Sequence, residues 1–359
     1  MVFATDPHPT RSVRSLLSAC GAALVLAACG GGDAPVRTVE FPVDQAENPV
    51  RVGSVESADP NASIGRVIAA RFTADGERVV VLDFAPPYIK VFRRDGTLER
   101  AFLTAGDGPL EMRHPSALAV AGDSLVMVAG AGRRVAVFGM DGQLRAEGRT
   151  SFPVLAAVEG CDGEWAAYGP TFRTGDRTAW LHRIRMGPDG MRVVDLEFRA
   201  ALGEGMVGQG LAYGMARTGN TVRVWHVLGA EHAVLGWACG ESRPRAWPVR
   251  PLWERTAARR DGKAVRMTIE PGQRMLAGMA AVPGGVVLAA QVVPAAGRPA
   301  TTELTLVTAK GERTVAVTGA YRLRDSHPRL GVLVDSDDPV PRLFTVSPAD
   351  LRALFADEN

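Results

Sequence analysis

Two histidines are the side chains best suited to acid–base or metal chemistry in this sequence. His114 directly precedes Pro115, and His226 ends an alternating apolar stretch that begins at Val222. A neutral imidazole can accept a proton or bind a metal ion, but the six histidines show neither an HxH nor an HExxH spacing. We therefore favour a turn residue bonded to the backbone for His114 and a structural role for His226, and we predict no catalytic residue and no metal site.

A run of carboxylates follows a predicted strand near the end of the chain. Asp335, Asp337 and Asp338 lie within four residues and are followed by Pro339. Carboxylate oxygens bind calcium, but the Gly and Glu that complete an EF-hand loop are missing here. A solvated turn is the favoured interpretation and a calcium site is the alternative. No other cofactor is expected.

The strongest concentration of positive charge is the segment 243–274. It carries nine Lys or Arg and three Asp or Glu in a chain of net charge +2. Arginine binds carboxylates and phosphates in a bidentate manner, and Trp253 adds an aromatic surface. Residues 253–260 (WERTAARR) predict a short helix that ends at Asp261-Gly262. One hypothesis is a basic lid that binds an anionic ligand. The other is a packed flap with solvated arginines, which is the commoner origin of a charge run.

The N-terminus resembles the signal of a bacterial lipoprotein. Two arginines precede an apolar stretch at residues 16–28, which is too short to span a membrane. The stretch ends in Leu26-Ala27-Ala28-Cys29, similar to the lipobox whose cysteine accepts diacylglycerol. An ordinary secretory signal is the alternative. Gly30 is not the aspartate associated with inner-membrane retention, which favours the outer membrane, facing the periplasm. We predict a signal peptide at 1–28, then lipidated Cys29 and a flexible linker at 29–48.

Two cysteines remain beyond this segment, Cys161 and Cys239. An exported compartment permits a disulfide. Their separation in sequence does not determine their distance in space, so the sequence leaves their pairing open.

Two stretches of the chain repeat each other. Residues 89–96 (IKVFRRDG) and 135–142 (VAVFGMDG) share a Val-Phe pair and an Asp-Gly pair at an offset of 46. A strand followed by Asp-Gly is typical of a β-hairpin, and each unit contains an earlier hairpin as well. Four antiparallel strands in each unit of this length are typical of a β-propeller blade.

Counting such units gives six between residues 49 and 359. The predicted fold is all-β, a six-bladed β-propeller of four-stranded antiparallel blades. Residues 49–55 (PVRVGSV) supply the fourth strand of the last blade, which closes the ring and covers an exposed edge. The chain's 40 glycines and 24 prolines agree with the many tight turns that this fold needs.

One loop carries a resemblance to a known family. Gly106-Asp107-Gly108-Pro109, then Glu111 and Pro115, resembles the pattern of NHL repeats. Together with the Val-Phe and Asp-Gly pairs, the chain is similar to bacterial NHL-type six-bladed β-propeller lipoproteins over residues 67–148. That resemblance implies a propeller, but the family includes binding modules, lactonases and lyases, so it does not specify an activity.

In a propeller, ligands usually bind on the face where the longer connections converge. The polar and aromatic side chains expected at this rim are Tyr88, Arg113, His114, Arg133, Arg173, His226 and Trp253. The nearly balanced charge argues against a nucleic-acid partner. We predict a non-enzymatic binding module for an envelope glycan, peptide or protein, attached to the membrane only by its lipid. The alternatives are a metal-dependent lactonase- or lyase-like enzyme and a scaffold of an envelope assembly.

Overall fold

The fold was analysed in a computed structural model. It describes residues 36–42, 59–130, 133–171, 178–187, 190–196, 199–200, 214–228, 231–249, 257–261, 264–268, 271–336 and 342–356. Strands dominate these ranges, and the helix within them is short. No helix in the described ranges has the length and apolar character needed to cross a membrane.

The first strand, β1 (Arg37–Val39), belongs to a sheet formed by the end of the chain, and three four-stranded antiparallel sheets follow it in sequence. The first sheet contains β2 (Val67–Phe72), β3 (Arg78–Asp83), β4 (Ile89–Arg93) and β5 (Leu98–Phe102). The second contains β6 (Pro115–Ala121), β7 (Leu125–Gly130), β8 (Arg134–Gly139) and β9 (Leu144–Arg149). The third contains β10 (Ala156–Glu159), β11 (Trp165–Tyr168), β13 (Leu181–Gly187) and β14 (Gly190–Asp195). β12 (Thr178–Ala179) and β15 (Arg199–Ala200) form a separate two-stranded antiparallel ribbon. In the chain, β12 precedes β13 and β15 follows β14.

The second half contains a fourth sheet, a second ribbon and one large sheet. The fourth sheet contains β16 (Met215–Thr218), β17 (Thr221–Leu228), β18 (Glu231–Ala238) and β19 (Arg245–Pro248). The ribbon pairs β20 (Ala257–Asp261) with β21 (Ala264–Thr268). The large sheet has eight strands: β1, β22 (Arg274–Val282), β23 (Gly285–Val292), β24 (Thr301–Thr308), β25 (Gly311–Thr318), β26 (Tyr321–His327), β27 (Gly331–Ser336) and β28 (Arg342–Val346). Helix α1 (Pro348–Leu354) follows, and Ser347 caps it by accepting a hydrogen bond from the Asp350 amide at 3.1 Å.

The large sheet consists of two meanders that meet at one parallel pair, Gly278 with Leu323. One meander is β22–β25 and the other is β26–β28. A Cβ on Gly278 would lie 2.0 Å from the Leu323 carbonyl oxygen, so glycine is what allows the two strands to approach.

The strand groups pack in a closed cycle. The first strands of successive groups contact one another in the order β2, β6, β10, β16, β22, β26 and back to β2. Each neighbouring pair of groups encloses an apolar core, including one in which Leu333 and Leu343 pack with the first sheet. Burial between sheets, rather than within one central core, therefore holds the ring together.

Two connecting faces follow from the strand registers. The end of β3 pairs with the start of β2, and the end of β5 pairs with the start of β4. Residues 84–88 and 103–114 therefore leave the sheets at the same end, which we call the upper face. The short turns, such as residues 73–77, lie at the opposite end, the lower face.

The Asp-Gly turns are confirmed. Gly96 and Gly142 connect β4 to β5 and β8 to β9 with φ angles of 88° and 77°. The preceding aspartates accept hydrogen bonds from the amides of Thr97 and Gln143, at 2.9 and 3.0 Å. These are the left-handed glycines that the repeated motif requires.

The predicted helix at 253–260 is wrong over its described part. Residues 257–261 form β20 and pair with β21, so the segment is a hairpin there. Alanine and arginine favour helix, but every residue from Ala257 to Asp261 pairs with a residue of β21, and this pairing outweighs the local propensity.

The N-terminal segment differs from the expectation as well. Residues 49–55, predicted to close the last group, lie outside the described residues. Within the predicted linker, Arg37–Val39 forms β1 and pairs in parallel with β25. Arg37 also donates hydrogen bonds to the carbonyls of Leu354 and Ala356, at 2.7 and 3.0 Å.

Cys161 and Cys239 form a disulfide, with their Cα atoms 5.5 Å apart. Cys161 follows β10 and Cys239 follows β18, so the bond joins the third and fourth sheets at the lower face. Cys29 and the signal segment lie outside the described residues.

Candidate functional site

The loop that carries the family resemblance is built by its own hydrogen bonds. The Glu111 carboxylate accepts a hydrogen bond from the Gly108 amide at 2.9 Å, and the Thr104 amide donates to the Leu110 carbonyl at 3.0 Å. A Cβ on Gly106 would lie 2.1 Å from the Glu111 carboxylate. The glycines and the glutamate therefore form a compact loop at the upper face.

A neighbouring strand fixes this loop further. Arg134, at the start of β8, donates to the carbonyls of Gly108 and Glu111 at 3.0 and 2.8 Å. The loop presents Leu110 to solvent with 49% of its surface exposed. The hydrogen bonds of the loop therefore hold Leu110 in an exposed position.

The adjacent loop presents a second apolar side chain. Phe84, directly after β3, is 60% exposed. The Arg66 guanidinium carbon lies 4.5 Å from the centre of its ring, within cation–π distance. The two loops are joined by the Tyr88 amide, which donates to the Leu103 carbonyl at 2.7 Å.

A buried ion pair supports the Phe84 loop. The Asp83 carboxylate accepts hydrogen bonds from the amides of Gly65 and Arg66, both at 2.9 Å, and from Lys90 Nζ at 2.5 Å. Burial alone would raise the pKa of Asp83. The hydrogen bonds from Lys90 and the two amides outweigh it and hold that pKa below its ordinary value. We call the exposed side chains Arg66, Phe84 and Leu110, with the loops that carry them, the upper patch.

The predicted rim residues are distributed unevenly. Arg113 is exposed at the upper face and forms an ion pair with Asp107 at 2.5 Å. His114 and Arg133 are exposed there too, with left-handed φ angles of 46° and 66°. Non-glycine residues seldom adopt that conformation, and it recurs at functional surfaces.

The other four predicted residues differ in what the structure describes. The side chain of Tyr88 is buried in the core between the first and second sheets. His226 lies on β17 in register with Ala233. Arg173 and Trp253 lie outside the described residues.

The centre of the ring is crossed by one arginine. Arg71, on β2, is buried, and its guanidinium donates to the carbonyl of Ala157 on β10 at 3.3 Å and to the carbonyl of Arg324 on β26. Burial lowers the pKa of Arg71, partly offset by the charge of Asp325. The side chain therefore bridges strand groups that are not neighbours in the cycle, and sequence reasoning did not single it out.

The calcium and metal-enzyme hypotheses concern carboxylates and histidines. Asp335 accepts hydrogen bonds from both Arg322 and Arg324, and Asp337 and Asp338 lie outside the described residues. In the ranges that the structure describes, no three His, Cys, Asp or Glu side chains come together as a metal site would require.

Several solved structures align with most of this chain. A Bacteroides fragilis protein classed as a candidate exported protein aligns over 86% of this chain and 98% of its own, with 10% identity and a TM-score of 0.54. The β-propeller domain of Cps50 (Swd1) from Myceliophteria thermophila aligns over 78% and 96%, with 12% identity and a TM-score of 0.45. The Pan2 WD40 domain of Neurospora crassa aligns over 76% and 72%, with 11% identity and a TM-score of 0.41.

The closed cycle of antiparallel strand groups in this chain is typical of a β-propeller. No protein-family model matches the sequence, and no curated protein matches it. At these identities the likeness extends to the fold alone.

Proposed function

We propose that this protein is a six-bladed β-propeller that binds a protein or peptide partner through the upper patch. The observation that carries the proposal is the exposure of Phe84 and Leu110, 60% and 49%, on adjacent loops fixed by buried or internal hydrogen bonds. Aromatic residues and arginine dominate binding energy at protein interfaces. Rigid presentation lowers the entropy lost on binding.

The blade count rests on the cyclic packing. Six first strands contact one another in a closed order, and an apolar core fills the space between each neighbouring pair of groups. The last group has three strands in the described residues, β26, β27 and β28. We propose that residues 49–55 add its fourth strand along β28.

The proposed membrane anchor is Cys29. We propose that Cys29 is lipidated and holds the protein at the outer membrane, facing the periplasm. Seven residues lie between Cys29 and Arg37, and at most about 3.6 Å per residue the distance from Cys29 to Arg37 is less than about 30 Å. Because β1 runs parallel to β25, the chain at Arg37 enters the sheet from the lower-face end.

The anchor is tested by mass spectrometry of protein extracted from membranes. We expect an N-terminal Cys29 bearing diacylglycerol, and we expect Cys29→Ala to release the protein from the membrane fraction. Recovery of the wild-type chain as a soluble, unlipidated protein would contradict the proposal.

The partner site is tested by photo-crosslinking in intact cells, with a crosslinking amino acid at position 110 or at position 247. Trp247 is the control because it is also exposed, at 39%, but lies on the outer strand of the fourth sheet. We expect discrete protein adducts from position 110 that disappear when Phe84→Ala is added. Equal adducts from both positions, or adducts unchanged by Phe84→Ala, would rule out the upper patch. Adducts to glycan alone would point to a different class of partner.

A further inference from the structure

An apolar cavity opens at the lower face, beside helix α1 and away from the upper patch. It lies among the β16–β17, β22–β23 and β26–β27 turns and holds about 120 Å³. Its walls include Val287, Leu306, Val332, Leu351 and Phe355. A dry engineered cavity of about 150 Å³ is sufficient to bind benzene. This cavity is therefore of the size of one six-carbon ring or a short alkyl chain.

The charged side chains that line the cavity are both arginines, Arg217 and Arg352, and no carboxylate is among the lining residues. Arg217 is held in place, since its Nε donates to the Gly219 carbonyl at 2.8 Å and it pairs with Glu159 at 2.9 Å. Arg352 is exposed on α1, and within the described ranges it forms no ion pair. The side of the cavity next to α1 thus carries a positive charge that is available to a ligand.

His327 also lines the cavity, but its ring nitrogens already have hydrogen-bond partners. The Nε2 atom of His327 lies 3.0 Å from the Ala74 carbonyl oxygen, and its Nδ1 accepts from the Arg329 amide at 3.3 Å. Donation at Nε2 and acceptance at Nδ1 match the neutral ring. Both nitrogens are thereby occupied, so the arginines provide the polar recognition.

We propose that this cavity binds a small hydrophobic monocarboxylate. The apolar body, of about six carbons, fills the space between Val287, Leu306 and Phe355. The carboxylate lies at the mouth against Arg352, with Arg217 as a second cation. Apolar burial provides the attraction, and the charge selects acids over amines of the same shape.

The test titrates hexanoate, 1-hexanol and hexylammonium into the purified protein, with binding followed by ligand-observed NMR. We expect hexanoate to bind more tightly than hexanol, and hexylammonium to bind least. Arg352→Glu should weaken hexanoate by about tenfold or more, the usual effect of losing a hydrogen bond to a charged group. The same variant should strengthen hexylammonium and leave hexanol almost unchanged. Arg100→Glu, an exposed arginine on β5, is the control of equal charge change.

A second variant tests the cavity without altering charge. Thr218, the exposed last residue of β16, lines the cavity, so Thr218→Trp should block the mouth without disturbing a core residue. We expect it to abolish binding of all three probes while the melting temperature stays close to that of the wild type. The proposal is overturned if none of the probes binds the wild type at millimolar concentration. It is also overturned if Arg100→Glu weakens hexanoate as much as Arg352→Glu does, or if Thr218→Trp leaves binding intact.

Discussion

The carboxylate of Asp325 accepts a hydrogen bond from the Phe72 amide, with Oδ2 and N 2.8 Å apart. Phe72 ends the first strand of the first sheet, and Asp325 lies on the first strand of the last group. Arg324 extends the same connection, because its guanidinium donates to the carbonyls of Val67 and Ile68, both at 2.8 Å. Polar side chains of β26 therefore join the two ends of the ring, in addition to the apolar core between them.

The Asp325 contact predicts a pH-dependent stability. Burial raises the pKa of Asp325, and the charge of Arg71 and the Phe72 amide only partly offset it. An acidic group whose pKa is raised in the folded state makes its full contribution to stability below its pKa in the unfolded chain. That contribution is lost as the pH rises towards and through its pKa in the folded state. Asp325→Asn keeps an oxygen acceptor for the amide but cannot ionise. We expect the variant to gain stability relative to wild type as the pH rises above about 4.

Urea unfolding at several pH values between 4 and 7 measures this difference. Because the other carboxylates titrate in both proteins, their contributions cancel in the stability difference between variant and wild type. A difference between variant and wild type that does not change with pH would show that Asp325 titrates at its ordinary pKa.

The buried pair of Asp83 and Lys90 gives a second prediction. Both side chains are almost completely buried. Lys90→Met leaves the Asp83 carboxylate without its cation, and losing one partner of a buried pair typically costs about 3–5 kcal/mol. The matched control is Arg145→Met, which breaks the exposed pair with Asp141 and should cost less than about 1 kcal/mol. Denaturant unfolding measures both values, and equal losses would mean that the buried pair contributes no more than a surface one.

The strand pattern and the turns could be predicted from the sequence because they depend on local signals. Alternating apolar residues mark strands, and Asp-Gly marks the turns at Gly96 and Gly142. Helix α1 was missed although its signal is present, since Ser347, Pro348 and Asp350 form an N-cap, a first-turn proline and an acidic first turn. The pairing of β20 with β21 differs from the helix predicted at 253–260, because the helix propensity of alanine and arginine does not indicate a partner strand.

The candidate site was harder to predict because loop side chains take their direction from tertiary contacts. Tyr88 turns into the core, while Phe84, four residues earlier, is exposed. A loop of five residues has no repeating pattern of apolar and polar residues from which the direction of either side chain could be predicted. The crossing of the ring by Arg71 depends on strands that are far apart in sequence, so no local pattern indicates it.

The repeated glycines give a third prediction. Replacing Gly96 or Gly142 by valine should cost about 1–2 kcal/mol, because a β-branched residue resists a positive φ. Gly142 has an additional constraint, as a Cβ would lie 3.3 Å from the Phe102 ring. Gly187→Val is the control, since that glycine has open space around it and no positive φ. Thermal melts that are unchanged for both turn variants would contradict the assignment of these turns as conformationally demanding.

The basic ribbon gives the last prediction. In the β20–β21 register, Arg259 lies directly opposite Arg266. Two arginines thus occupy paired positions on a short ribbon, and the hypothesis that segment 243–274 binds an acidic ligand predicts that both contribute to that binding. We expect polyglutamate to bind the wild type and to dissociate as salt increases, since the Debye length is about 8 Å at physiological ionic strength. Replacing both arginines by glutamate should abolish this binding and leave the melting temperature almost unchanged.

The matched control replaces Arg93 and Arg100 on the first sheet by glutamate, which changes the net charge by the same amount. If the two double variants weaken polyglutamate to the same extent, overall charge rather than the ribbon is responsible. If binding of the wild type does not depend on salt, the ribbon arginines are solvated and the segment is only a packed flap.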